Sequence, residues 1–108
     1  MPDRGMMRIS FAGDQVLTGD EAAHALLDFA SVLAKHQTSD EVELRTVQAT
    51  GDPGISRFLL GPTSQIVISS HASTIAEPDN ADIVVSIRRR IDQLTQGGPE
   101  HDPPGLEV

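Results

Sequence analysis

The sequence predicts an α+β domain in which an antiparallel sheet of about five strands carries two helices on one face, in the order β-β-α-β-β-β-α. Two stretches, residues 19–35 and 80–96, repeat apolar residues at helical spacing. Several shorter stretches alternate apolar and polar residues, as half-buried strands do. With 108 residues, the chain fits a single domain.

The first two predicted strands form a hairpin. Met7, Ile9 and Phe11 alternate with polar residues, and 15–17 would be the return strand. A glycine at the first central position of a two-residue turn favours type II′, so we place the turn at Gly13-Asp14. Residues 1–6 show no such pattern and are predicted to be disordered.

The first helix carries a sequence signature for its start. Thr18-Gly19-Asp20-Glu21 matches a capping box, in which the threonine hydroxyl accepts an amide of the first turn and the glutamate returns to the threonine amide. We therefore expect Thr18 to cap a helix that runs to about Lys35.

Residues 41–70 predict three further strands. The segments 41–49, 55–60 and 65–70 are separated by the turn signals Thr50–Gly54 and Gly61–Ser64. We interpret them as an antiparallel meander, with Gly61–Ser64 as a hairpin corner.

The second helix has an Ile83, Ile87, Ile91 stripe and a possible cap at Asp79 or Asn80. Gly97-Gly98-Pro99 is expected to end it. The domain is therefore predicted over 7–96, followed by a disordered acidic tail, rich in proline and glycine, over 97–108.

Composition limits the functional classes. The chain contains no cysteine and has a net charge of −8, from sixteen acids and eight bases. The absence of cysteine excludes disulfides and favours the cytoplasm, and the acidity disfavours nucleic acid as a partner. No apolar run approaches the length of a membrane span, so no membrane partner is expected. Seven of the eight bases are arginine, which is typical of GC-rich genomes and indicates a bacterial source.

Two polar groups stand out as candidate binding elements. Thr63 and Ser64 in the Gly61–Ser64 turn, together with the basic run Arg88-Arg89-Arg90, could hold a phosphate or another small anion. The simpler interpretation is a connecting turn and a set of arginines whose stems flank the isoleucine stripe. Pro62 lacks an amide, and no helix follows the turn, so we favour the simpler interpretation.

Enzymatic patterns are weak throughout. His24 with Glu21 and Asp28 fits a solvated helix face better than a metal site, and Ser69 beside His71 lacks any nucleophile-elbow pattern. Glu41 and Glu43 share a strand face that we assign to solvent. We therefore expect no catalytic residues, no metal and no cofactor.

The leading hypothesis is a non-enzymatic interaction or regulatory module. Leu59 and Val67 put apolar groups on the face of the sheet that the helices do not cover, and a second copy of the chain would cover them. Two alternatives stay open: a phosphate or small-ligand domain that uses Gly61–Ser64 and Arg88–Arg90, and an acidic inhibitor or immunity-type protein that covers a basic partner surface.

Overall fold

A computed structural model describes residues 6–48 and 50–100. It confirms the α+β class and the predicted order of elements. The elements are β1 Met6–Phe11, β2 Asp14–Gly19, α1 Asp20–Lys35, β3 Asp40–Val47, β4 Pro53–Leu60, β5 Ile66–His71 and α2 Ala81–Glu100. The disorder predicted for residues 1–5 and 101–108 lies outside the described residues.

The five strands form one antiparallel sheet in the order β4-β3-β2-β1-β5. Here the predicted meander is wrong, because β5 pairs with β1 along its whole length and not with β4. Gly61–Ser64 is therefore a turn between the two edge strands and not a hairpin corner. Alternation along β5 identified a strand, but it contains no information on which neighbour the strand joins.

The core lies between the sheet and the two helices, as predicted. Alternate residues of the strands face the helices, and α1 contributes a broad apolar stripe while α2 contributes mainly Ile87. The largest fully buried apolar side chains are Phe29, Ile9, Leu26, Leu33, Leu44, Leu60, Ile87 and Val42. We call this helix-covered side of the sheet the inner face and the opposite side the outer face.

A second, smaller cluster partly covers the outer face. Met6, Leu17 and Val47 are buried there beneath Ile75, which belongs to the connection between β5 and α2. Met6 was predicted to be disordered, yet it is 2% exposed. Its side chain faces away from Met7, Ile9 and Phe11, so the alternation that identified β1 gave no sign of its burial.

The sheet curls around the helix layer. The rings of Phe11 in β1 and Phe58 in β4 have centroids 5.5 Å apart, although β2 and β3 lie between these strands in the sheet. In a flat sheet the two strands would be about 14 Å apart, three strand spacings. Between them, β2 and β3 share only the pair Leu17–Val47. We call the junction of β2 and β3 the seam.

Asn80 replaces the missing strand pairing at the seam. Its side-chain oxygen accepts the Arg45 amide at 2.8 Å, and its side-chain nitrogen donates to the Arg45 carbonyl at 2.9 Å and to the Thr18 hydroxyl at 3.1 Å. The Thr18 hydroxyl in turn donates to the same carbonyl at 3.1 Å. Asn80 is 5% exposed and Thr18 is fully buried. Every polar atom in this group therefore has a partner, as burial requires.

Thr18 does not cap α1, so the predicted capping box is wrong. The residue before the helix is Gly19, with no side-chain hydrogen bond to the first turn. Thr18 is the penultimate residue of β2, where its hydroxyl is used at the seam. The local pattern was compatible with a cap, but the part-buried Arg45 carbonyl and Asn80 compete for the same hydroxyl.

Two boundaries also differ from the prediction. The β1–β2 turn is Ala12-Gly13, because Phe11 pairs with Asp14; both turn residues have positive φ, 53° and 87°, as a type I′ turn requires. Helix α2 continues to Glu100, past the expected stop at Gly97. Glycine weakens a helix but keeps its amide, so it does not by itself end one.

The start of α2 is held by two neighbouring side chains. Asp79 accepts the Ala81 amide at 3.0 Å, which confirms it as a cap of this helix. Arg45 donates to Asp82 at 3.0 Å and to the Asp79 carbonyl at 3.0 Å. The hydrogen bond from Arg45 lowers the pKa of the Asp82 carboxyl below its usual value. This contact therefore stabilises the fold above the usual carboxyl pKa, and its contribution is lost as the pH falls through the lowered value.

We expect Asn80→Ala to lower the free energy of unfolding by about 1–3 kcal/mol, because the part-buried Arg45 amide loses its partner and the Arg45 carbonyl keeps only the Thr18 hydroxyl. The chain has no Trp and no Tyr, so urea unfolding is best followed by far-ultraviolet circular dichroism. Gln96→Ala, which removes an exposed amide from α2, is the matched control and should change stability by less than about 0.5 kcal/mol. Equal stability of the two variants would contradict the role of Asn80.

Candidate interaction surface

Strand β4 forms one edge of the sheet, and the hydrogen bonds of β3 reveal which of its backbone groups face outward. The amide and carbonyl of Arg45 bond to Asn80, on the side away from β4. The Glu41 amide bonds to the Asp40 carboxylate at 2.8 Å, and the Glu41 carbonyl accepts Arg90 at 3.2 Å. Glu41 and Arg45 therefore direct their backbone polar groups away from β4, and Glu43 between them follows by the two-residue period.

The same alternation fixes the orientation of β4. Glu41, Glu43 and Arg45 lie opposite Leu59, Arg57 and Ile55 respectively. Opposite residues in an antiparallel pair exchange both backbone hydrogen bonds or neither. The amides and carbonyls of Ile55, Arg57 and Leu59 therefore point to the open edge, where no strand of the described chain pairs with them. We call these three residues the β4 edge. The Leu59 carbonyl accepts the Ser64 hydroxyl at 3.4 Å.

The β4 edge also exposes large apolar side chains. Ile55 is 66% and Leu59 is 67% exposed. Arg57 lies between them on β4. Its guanidinium forms ion pairs with Glu41 and Glu43 of the neighbouring strand β3, at 3.3 Å each. The edge therefore combines backbone groups that no described strand pairs with, two exposed aliphatic residues, and a base whose charge is compensated.

The curvature of the sheet brings Leu59 close to the opposite edge strand. A shallow depression of about 540 Å³ lies between the Ala12-Gly13 turn, the end of β4 and the start of β5. Four residues that sequence analysis singled out line it together: Leu59, Thr63, Ser64 and Val67. Val67 is 61% exposed. The exposed apolar surface therefore continues from the β4 edge onto β5.

The polar groups of the Gly61–Ser64 turn are largely used within the turn. The Gly61 amide donates to the Ser64 hydroxyl at 2.9 Å, and the Ser64 amide donates to the Gly61 carbonyl at 3.1 Å. Pro62 has no amide. Only the Thr63 amide and hydroxyl are left for a ligand, so the turn lacks the converging donors of an anion site.

The basic run of α2 lies in the helix layer, and none of its arginines lines the depression. Arg88 forms an ion pair with Asp28 at 2.7 Å, and Arg90 forms one with Asp40 at 2.8 Å while its guanidinium lies 5.1 Å from the Phe29 ring centroid. Arg89 is exposed and forms no ion pair within the part of the chain that the structure describes. The structure does not bring the turn and the basic run together as one phosphate site.

The histidines that sequence analysis considered are engaged locally. His24 contacts the Asp20 carboxylate at 3.1 Å, and His71 lies 2.9 Å from the Arg8 guanidinium through Nδ1. Over residues 6–48 and 50–100, no group of three metal-ligating side chains converges. No helix in these same ranges is long and apolar enough to cross a membrane.

Sequence reasoning identified Leu59 and Val67 but missed two features of the surface. It placed Ile55 and Arg57 on the same strand face as Leu59 but did not count them among the candidate residues. It also could not assign the open edge, because it paired β4 with β5. Comparison with models of protein families, with curated proteins and with solved structures finds no match.

We expect Arg90→Ala to lower the free energy of unfolding by about 1–2 kcal/mol, because it removes a partly buried ion pair and the contact with the Phe29 ring. Arg89→Ala, in the same basic run, should change it by less than about 0.5 kcal/mol. Urea unfolding of both variants tests this difference. A larger loss for Arg89→Ala would show that the described contacts do not explain the basic run.

Proposed function

We propose that this protein is a non-enzymatic interaction module that forms a homodimer through its sheet. The observation that carries the proposal is the β4 edge, where three residues direct outward backbone groups that no described strand pairs with, and two of these residues expose large aliphatic side chains. Monomeric proteins avoid long, apolar, unprotected edges because such edges recruit further strands. A bound strand would satisfy these backbone groups and cover part of the apolar surface.

Charge also favours the β4 edge as the line of approach between two copies. Each chain carries a net charge of −8, so most surfaces of two copies repel one another. Strand β4 contains no acid, and its one base, Arg57, is paired with Glu41 and Glu43. Strand β5 also lacks acids, but only one of its large apolar residues, Val67, is strongly exposed. The two copies therefore meet best along β4.

The alternatives have less support. A phosphate site would need free donors, and both Gly61–Ser64 and two of the three arginines use theirs internally. An acidic inhibitor would need a continuous field of free carboxylates. Five acids instead lie in ion pairs with arginines of the same chain: Asp28, Asp40, Glu41, Glu43 and Asp82. A cytoplasmic site of action is part of the proposal and rests on the absence of cysteine.

We expect sedimentation velocity to detect a species of twice 11.5 kDa as concentration rises from about 1 µM to about 1 mM, the range in which small interfaces dissociate. Leu59→Glu should raise the dissociation constant at least about tenfold, because it places a charge at an apolar, desolvated contact. Circular dichroism should show an unchanged fold, since Leu59 is exposed.

The matched control is Val85→Glu. Val85 is 58% exposed and lies on α2, away from the sheet edge, so this variant adds the same charge without touching β4. It should dimerise like the unmodified chain. A chain that stays monomeric at every concentration, or equal weakening by both variants, would contradict the proposal.

A further inference from the structure

The β4 edge has a symmetry that specifies how two copies would meet. We propose that the partner is a second copy of this chain whose β4 pairs antiparallel with the first, with Arg57 opposite the partner's Arg57 and Ile55 opposite the partner's Leu59. This inference rests on the proposed function and adds the surface and the register of the dimer. The result would be one continuous sheet of ten strands with a two-fold axis perpendicular to it.

The first constraint on register comes from the backbone. Only Ile55, Arg57 and Leu59 direct both an amide and a carbonyl outward, and Pro53 on the same side of the strand has no amide. A two-fold axis therefore has to place outward-facing residues opposite one another. Centring the axis on Arg57 pairs all three with outward-facing residues and gives six backbone hydrogen bonds. It also overlaps nearly the full length of β4 in both copies. In two of these six hydrogen bonds, the Leu59 carbonyl of each copy would also keep its hydrogen bond from the Ser64 hydroxyl, since a carbonyl has two lone pairs.

The second constraint comes from the side chains. Centring on Arg57 places each exposed aliphatic residue beside another, since Ile55 and Leu59 lie two residues to either side. Centring on Ser56 would instead place Ile55 against the partner's Arg57 and Leu59 against the partner's Pro53, which cannot donate. Centring on Phe58 would place Leu59 against the partner's Arg57 and Ile55 against the partner's Gly61, whose amide already bonds to Ser64. Cross-strand aliphatic pairs favour the first register.

The third constraint is charge at the axis. Two arginines opposite one another would ordinarily repel. Each Arg57, however, contacts Glu41 and Glu43 of its own chain at 3.3 Å. Two guanidinium groups and four carboxylates therefore lie around the axis, so neither arginine faces an uncompensated positive charge. Charge thus permits the register that the backbone and the aliphatic residues favour.

The test uses disulfide formation in a chain that has no cysteine of its own. In the proposed register the two Arg57→Cys positions lie about 5.5 Å apart between Cα atoms, the spacing of a hydrogen-bonded antiparallel pair and within the range of a disulfide. Ile55→Cys or Leu59→Cys alone places its two thiols about 14 Å apart along the strand, too far to join. In an equal mixture of Ile55→Cys and Leu59→Cys chains, a dimer of one chain of each kind places Cys at position 55 opposite Cys at position 59 of the partner.

We expect Arg57→Cys to cross-link under mild oxidation, and the Ile55→Cys and Leu59→Cys mixture to give the mixed dimer although neither variant cross-links alone. Both yields should exceed that of the control Val85→Cys about tenfold or more, because thiols held in a dimer reach an effective concentration of about 1 mM. Replacing Arg57 removes its ion pairs with Glu41 and Glu43, and the Arg57→Cys chain could therefore fail to dimerise. In that case the mixture of Ile55→Cys and Leu59→Cys, which keeps Arg57, still tests the register.

The outcomes separate the register from self-association itself. If sedimentation shows a dimer but Ile55→Cys or Leu59→Cys cross-links by itself, the axis lies elsewhere on β4 and this inference is overturned. If a dimer forms and no β4 variant cross-links more than Val85→Cys, the interface lies on another surface. A chain that remains monomeric at all concentrations overturns both this inference and the proposed function.

Discussion

The side-chain amide of Asn80 connects parts of the molecule that the sheet alone does not hold together. Strands β2 and β3 share only the pair Leu17–Val47, so the sheet would otherwise consist of two units, β5-β1-β2 and β3-β4, joined at one point. Asn80 bonds to Arg45 in one unit and to Thr18 in the other, and it immediately precedes α2. A primary amide suits this position because it donates and accepts at once, as a backbone peptide does.

The same contact influences the surface of the molecule. Because Asn80 takes the Arg45 amide and carbonyl on one side of β3, β4 pairs with the alternate residues of that strand. Ile55, Arg57 and Leu59 consequently have both their backbone groups and their side chains on accessible sides. The two-residue period of the strand therefore gives these residues two properties at once. Their backbone groups lie at the open edge, and their side chains form an exposed stripe that includes two apolar residues.

Most of the ion pairs of this acidic protein join different elements of the fold. Four arginines pair with acids on neighbouring elements: Arg45 with Asp82, Arg57 with Glu41 and Glu43, Arg88 with Asp28, and Arg90 with Asp40. Surface pairs of this kind add little stability one by one. Here they connect helices to strands, and on β4 the one base, Arg57, is compensated by two carboxylates of β3.

The sequence by itself determined the type and order of the elements and the placement of the helices on one face, since two-residue and helical periodicities are local properties. It also indicated that Leu59 and Val67 are left outside the helix-covered core. Tertiary structure decided what depends on distant partners: β5 joins β1, Thr18 serves the seam instead of α1, and Ile75 covers Met6. Periodicity states which face of a strand is apolar, but strand pairing and buried hydrogen bonds arise between residues tens of positions apart. Only the folded chain therefore reveals that β4 is an edge.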